Sequence, residues 1–271
     1  MHAGSKGSEM GTDIDSLAIV RALRVASGYL GFMDSGQAFA DRISEDPAAL
    51  TAVAEEIRYQ AWTALIKSAV PDNSQFGEFK IILNALVSDA ASPGIVVDVG
   101  ACARSGSNSY DLITNFGWRG ILIEAFPKRA SKLRDEFGDG DYRVVECAVG
   151  LTPGPQPLWL GAGAMINSLD QSVAEMFKGR GESIEVEVRR LVDILDEHDV
   201  PHEFDLIDID IEGPDVDVFN DLIENSPYRP KYVIIECPTM TPLNEVGFAP
   251  MVMDTYRQMG STIANRIFKR V

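Results

Sequence analysis

The sequence predicts an α/β fold, a mostly parallel β-sheet with helices on both faces, preceded by a helical N-terminal segment. Three observations predict it. From Ile95 onward, short apolar runs alternate with segments of helical period, the pattern of parallel strands joined by crossover helices. Between Ile95 and Ala125 a buried run, a glycine turn, a helix and a second apolar run ending on Glu124 outline half of a nucleotide-cofactor site. Before Ala91 the apolar residues recur only at helical spacing.

Residues 1–11, MHAGSKGSEMG, hold no apolar segment and read as a disordered leader, not a signal peptide. Residues 12–92 read as a helical cap. Leu17, Val20 and Leu23, then Leu50, Val53 and Ile57, then Phe79, Ile82, Leu83 and Leu86 carry the helical period, with breaks at Gly28–Gly36, Asp46–Pro47 and Val70–Gly77. Such a cap serves either as packing or as a lid over substrate. Residues 93–271 form the cofactor domain. Strands are expected at Ile95–Asp98, Ile121–Glu124, Arg143–Cys147, Phe204–Ile209 and Tyr232–Glu236, with a last one inside Ser261–Arg270. Helices are expected at Ser107–Asn115, Pro127–Phe137, Asp215–Asn225 and Ala249–Met259. The alternation fails over about 155–189, where glycines flank short strand-like pieces such as Gln156–Leu160 and Glu185–Val188. This is read as an insertion over the sheet edge, a place where α/β folds carry substrate contacts.

The net charge of −17 excludes nucleic acid and anionic membrane as partners, because both need clustered Lys and Arg to displace counterions. No apolar stretch approaches the roughly 20 residues that span a bilayer. Three cysteines, Cys102, Cys147 and Cys237, form no metal-binding spacing, so a reduced, cytoplasmic compartment is the simplest reading. The expected partner is a small molecule, and a homo-oligomer is left open.

In an open parallel sheet, ligands sit beyond the carboxyl ends of the strands, where the strand order reverses. That rule gathers Asp98–Ala101, Glu124–Phe126, Glu146–Ala148, Asp208–Gly213 and Glu236–Thr239 on one rim. The spacing after Asp98 is not GxGxxG. It is a longer loop through Gly100 and Gly106, followed by Glu124 where an acid can accept from both hydroxyls of a cofactor ribose. Asp98, Gly100, Ala101, Cys102, Ser107, Glu124, Ala125, Phe126, Cys147, Ala148 and Asp208 are the expected cofactor-binding residues. Phe126 is placed to bring its ring against an adenine. Cys102 and Cys147 are expected as small packing residues beside that loop, since nothing cationic stands near them in sequence.

The same motifs resemble those of the FkbM-type methyltransferases. The resemblance rests on DVGA at 98–101, the strand ending in Glu124 with Pro127 close behind, CAVG at 147–150, IDIDIEG at 207–213, VIIEC at 233–237 and NRIF at 265–268. It covers Ile95 to the C-terminus. It implies a Rossmann-like Class I methyltransferase fold, S-adenosylmethionine as cofactor, and O-methylation of a sugar or other small natural product. The chain departs from the family pattern in three places. DVGANxG is here DVGACARSG, with Cys102 for Asn; EP is Glu124-Ala125-Phe126-Pro127; and the Lys of K-I-D-V-E-G is Asp208. An acidic rim suits a sulfonium cation, whereas the phosphates of NAD prefer a glycine loop at a helix N-terminus. An NAD(P)-dependent Rossmann oxidoreductase and a catalytically silent binding protein of this fold are the alternatives.

His198 and His202 precede a strand and so belong to its amino-terminal edge, away from the rim. Carboxylates are left as the catalytic candidates. Asp210 and Glu212 are the expected pair, and with Glu236 they form an oxygen-rich, His-free set suited to Mg²⁺ or Mn²⁺. Asp215 and Asp217 are expected to cap a helix or bond loop amides.

Overall fold

A computed structural model of the chain describes residues 71–89, 91–162 and 166–271. The leader and the helices expected before Val70 lie outside the described residues. Pro71–Val271 is one compact unit.

Its centre is a seven-stranded sheet. In chain order the strands are β1 (Ile95–Val99), β2 (Arg119–Ile123), β3 (Tyr142–Val145), β8 (Leu206–Ile209), β9 (Tyr232–Glu236), β10 (Tyr256–Ser261) and β11 (Asn265–Arg270). They lie in the order β10-β11-β9-β8-β1-β2-β3, parallel from β9 to β3 and antiparallel at β9–β11 and β11–β10. The order reverses between β1 and β8, which is where a Rossmann-like sheet opens its ligand crevice. Val96, Val97, Ile121, Ile207, Ile209 and Ile234 are fully buried, as strands covered on both faces require.

The helices supply the covers. Helix α6 (Asp215–Asn225) buries Val218, Phe219, Leu222 and Ile223, an i, i+1, i+4, i+5 stripe. Helix α3 (Pro127–Glu136) starts with Pro at its first turn, where the missing N–H costs nothing. Helix α2 spans Tyr110–Phe116. Helix α1 (Glu78–Ser88), expected as part of the N-terminal cap, belongs to this unit: Phe79 and Ile82 are fully buried, and the Phe79 ring meets Phe116 at 6.0 Å.

Two expectations needed correction. The helix expected over Ala249–Met259 stops early: α7 is Pro250–Thr255, and the chain then continues as β10. Pairing with β11 and the burial of Tyr256 against Phe219 override the helical spacing there. Helix α5 (Leu191–Glu197) was not expected, although Leu191, Ile194 and Leu195 stand at helical spacing; the dense acids around them obscured it.

The insertion is a second sheet. Its strands are β4 (Ala148–Val149), β5 (Gly154–Leu160), β6 (Asn167–Ser168) and β7 (Ser183–Arg189), in the order β4-β7-β5-β6, with the short helix α4 (Gln171–Met176) after β6. β6 pairs only with Trp159 and Leu160 of β5, which leaves Pro155 and Pro157 on an open edge where a missing donor does no harm. No described helix is long and apolar enough to cross a membrane.

Candidate active site

The turn after β1 is tied to its neighbours by backbone bonds. Gly100 and Ala101 both donate to the Ile123 carbonyl at 2.9 and 3.0 Å, and Asp210 donates to the Val99 carbonyl at 2.9 Å. Gly100 has φ +90, and a Cβ there would stand 1.8 Å from the Asp210 carbonyl oxygen. Gly100 is among the expected cofactor-binding residues. The atom it clears space for is in the next loop of the protein itself, which draws the β1 and β8 ends together. Gly106, also at positive φ, donates to the Asn73 carbonyl at 2.7 Å.

Below this turn sit two buried acids in register on paired strands, Asp98 and Asp208. Ser109 Oγ donates to Asp98, and Asn108 Nδ2 donates to Asp208 at 2.9 Å. Burial pushes Asp98 up to about 7, with the negative charges of Asp210 and Glu124 adding to the shift although Ser109 opposes it. Burial also raises Asp208, and Asp98 beside it adds to this. The position where the family pattern has Lys thus holds a second acid, and close carboxylates keep a proton between them instead of forming an ion pair. Asp208 Oδ1 and Asn108 Oδ1 are buried without partners among the described residues.

At the end of β2, Glu124 is 4% exposed. Its Oε1 accepts from the Phe126 amide at 2.6 Å and its Oε2 from Arg129 at 3.2 Å, which leaves further lone pairs toward the cavity. Burial raises its pKa, offset in part by Arg129.

The loop after β8 carries the catalytic candidates. Asp215 accepts from the amides of Ile211 at 2.7 Å and Gly213 at 2.9 Å, the loop-bonding role expected of it. Between those amides Glu212 adopts φ +59, a left-handed conformation that costs a non-glycine residue roughly 1–2 kcal/mol. Ser168, from the second sheet, holds the Glu212 carbonyl at 2.7 Å. Asp210, Glu212 and Glu236 offer carboxylate oxygens that all lie within 4.8 Å of one another. Glu236 is pushed up to about 9, first by burial and then by the charges of Asp210, Glu212 and Asp215, and it donates its proton to Asp210. Burial raises Asp210, and this bond from Glu236 opposes the rise. Glu212 is pushed up to about 7 by burial and by Asp210 and Asp215.

These groups border a cavity of about 400 Å³. Of the expected residues, Gly100, Cys102, Glu124, Ala125, Cys147, Ala148, Asp210 and Glu212 line it. Asp98, Ala101, Ser107 and Asp208 do not; they are buried in the structure that carries it. Phe126 turns to a neighbouring cavity, and Glu236 reaches this one through its bond to Asp210. Burial raises Cys102 and lifts Cys147 to about 11, so both stay thiols. His198 and His202 stand at the opposite edge: the His198 carbonyl accepts from Arg119 at 2.7 Å, and the His202 ring meets Tyr228 edge-on at 5.2 Å.

Two parts of the wall escaped the sequence reading; a third, Asn167, lies in the insertion expected to carry substrate contacts. Asp72–Gln75, expected as a break between helices, lines the cavity, held by Asn73 donating from its amide and its side chain to Asp111 at 2.9 Å. Arg129 stands five residues after Glu124, on the first turn of the helix, a spacing that could have suggested a partner for that acid. Asn167 borders the cavity from the second sheet.

A family model described as the methyltransferase FkbM domain matches residues 98–259, well over half of the chain. The chain belongs to the FkbM methyltransferase family. That membership makes the fold a Rossmann-like Class I methyltransferase fold and S-adenosylmethionine the cofactor. Among solved structures the chain is similar to TehB from Haemophilus influenzae, at 10% identity and a TM-score of 0.35, covering 76% of this chain and 66% of that one. It is also similar to a TehB-like SAM-dependent methyltransferase from Corynebacterium glutamicum, at 14% identity and a TM-score of 0.34, covering 83% of this chain and all of that one. No curated protein sequence matches the chain significantly.

Proposed function

We propose that this FkbM-family protein transfers a methyl group from S-adenosylmethionine to a hydroxyl oxygen of a sugar or other small natural product. The observation that carries this reading is the charge of the cavity wall: Asp72, Glu124, Asp210 and Glu212 face it against one cation, Arg129. Such a wall favours a sulfonium cation over a dinucleotide phosphate. When bound, the donor supplies an electrophilic methyl group on a positive sulfur. Glu124 is positioned to accept from ribose hydroxyls. Asp210 is positioned to take the proton of the acceptor hydroxyl, and the burial that raises its pKa strengthens it as a base.

The clustered oxygens of Asp210, Glu212 and Glu236 also fit a hard divalent ion, Mg²⁺ or Mn²⁺, which would acidify the acceptor hydroxyl. Turnover should then fall on exhaustive chelation and return with either ion; undiminished turnover in chelator removes the metal and leaves Asp210 as the base. Three free cysteines support a reducing, cytoplasmic setting.

The reading is tested by calorimetry. S-adenosylhomocysteine should bind and NAD should not, and Glu124→Ala should weaken the homocysteine product by roughly 1–3 kcal/mol as a hydrogen bond to a charged group is lost. Tight NAD binding sinks the methyltransferase reading.

A further inference from the structure

A methyl transfer has two substrates, and the acidic cavity accounts for one. Beside it, on the second sheet, lies another cavity of about 320 Å³, also of small-ligand size. Its wall includes Phe126, Leu160, Asn167, Lys178, Arg180 and Glu182. The sign of its charge is the reverse of its neighbour's: two cations against one acid, on a chain whose net charge is −17. Neither Lys178 nor Arg180 has an ion pair among the described residues, although acids dominate the sequence.

The turn that carries these cations is fixed in place. Gly179 donates to the Ala174 carbonyl at 2.9 Å, and Ala162 donates to the Phe177 carbonyl at 3.0 Å. A Cβ on Gly179 would stand 2.7 Å from the Ala174 carbonyl oxygen and 2.8 Å from that of Leu160, so the turn is pressed onto β5. Lys178 is held at φ +60 beside it.

Asn167 belongs to both cavity walls. Its Nδ2 and Oδ1 are both buried and both without a partner, one donor and one acceptor set aside from every bond the described protein could give them. Buried amides left in this state are uncommon and costly, and a ligand passing between the two cavities would satisfy both atoms.

We propose that the second cavity anchors the methyl acceptor by an oxyanion, a carboxylate or a phosphate ester, held by Lys178 and Arg180. The acceptor's body lies along Phe126, and its hydroxyl passes Asn167 into the acidic cavity. The acceptor class is therefore an anionic hydroxyl compound. This rests on the methyl-transfer reading above and narrows its substrate.

The test reads binding, not turnover. Glucose, glucose 6-phosphate and glucuronate are titrated into protein saturated with S-adenosylhomocysteine, at low ionic strength. At least one of the two charged sugars should bind about ten-fold or more tighter than glucose, and which one does so separates phosphate from carboxylate. Lys178→Gln with Arg180→Gln should erase that preference, and Arg180→Gln alone should reduce it, with S-adenosylhomocysteine affinity unchanged within about two-fold. No preference for charge, including no binding of either charged sugar, overturns the proposal; so does a preference that survives the double variant. A charge preference in a protein that transfers no methyl group defeats the proposed reaction alone. Methyl transfer to neutral acceptors without charge preference defeats the anchoring subsite alone.

Discussion

In the seven-stranded sheet, β8 is buried at every residue and β9 at every residue but its last, whereas β7 of the second sheet alternates exposed and buried along Glu185–Val188. The same difference runs through the chemistry. The ends of β2, β8 and β9 carry acids that burial pushes out of their ordinary range, with like charges adding to the rise at Glu236, and they are locked by backbone bonds between loops. The second sheet contributes exposed cations on a turn and an amide with no partner among the described residues. Strands covered on both faces fix the rim proposed for the donor, because any shift there breaks a packed core. A one-faced sheet laid beside it can change its polar face freely, which suits the recognition of an acceptor.

The largest expected effect separates chemistry from binding at the rim. Asp210→Asn should cut turnover by about 10²–10⁴-fold, the scale of losing a general base, while S-adenosylhomocysteine affinity stays within a few-fold. His198→Ala and His202→Ala should be nearly silent, since both side chains stand at the far edge of the sheet. A dead histidine variant beside an active Asp210→Asn would break the assignment of the rim.

Next in size is a pair of glycines, one from each sheet. Gly100 and Gly154 both have positive φ, but a Cβ on Gly100 meets the Asp210 carbonyl oxygen at 1.8 Å and one on Gly154 meets nothing within 4 Å. Gly100→Ala should cost about 3–5 kcal/mol, from left-handed strain and a backbone clash together. Gly154→Ala should cost only the strain, about 1–2 kcal/mol. Urea unfolding of the two variants measures the difference; equal losses would mean that the β1 and β8 loops part easily.

The same contrast decides what was legible in the sequence. Ile95–Val99, Asp215–Asn225 and Tyr232–Glu236 could be placed almost to the residue, because buried strands and an amphipathic helix leave long, unmixed patterns. Glu124, Asp210 and Glu212 could be found because strand ends at a switch point are a rule of topology. β10 was read as helix because its partner, β11, supplies the pairing that its own residues do not announce. Phe126 lines the neighbouring cavity: its backbone amide is engaged by Glu124, and its side chain packs against the small core of the insertion, a contact that exists only once the second sheet is folded. Asn73 was hidden for the same reason. It lies in a loop and gains its role only from what tertiary structure sets beside it.

The most gradual expected effect is a pH dependence rooted under the rim. Asp98 is buried beneath the rim and holds its proton up to about 7, where an ordinary aspartate releases it near 3.8. Below about pH 4 both the folded and the unfolded chain carry this proton, and the group adds no pH dependence. Between about 4 and 7 the unfolded chain has lost it while the folded chain keeps it. Stability therefore falls as pH rises through that window, with a slope from this group of at most about 1.4 kcal/mol per pH unit. Asp98→Asn cannot titrate, so its urea midpoint should decline less than that of the wild type from pH 4.5 to 7. The Ser109 hydroxyl can still donate to the amide oxygen, which keeps the local bond while removing the charge. Parallel curves for the two proteins would show that Asp98 is ionised in the fold throughout. The buried acids of the rim would then be matched by charge and not by protons, and the contrast with the cationic cavity would lose its physical basis.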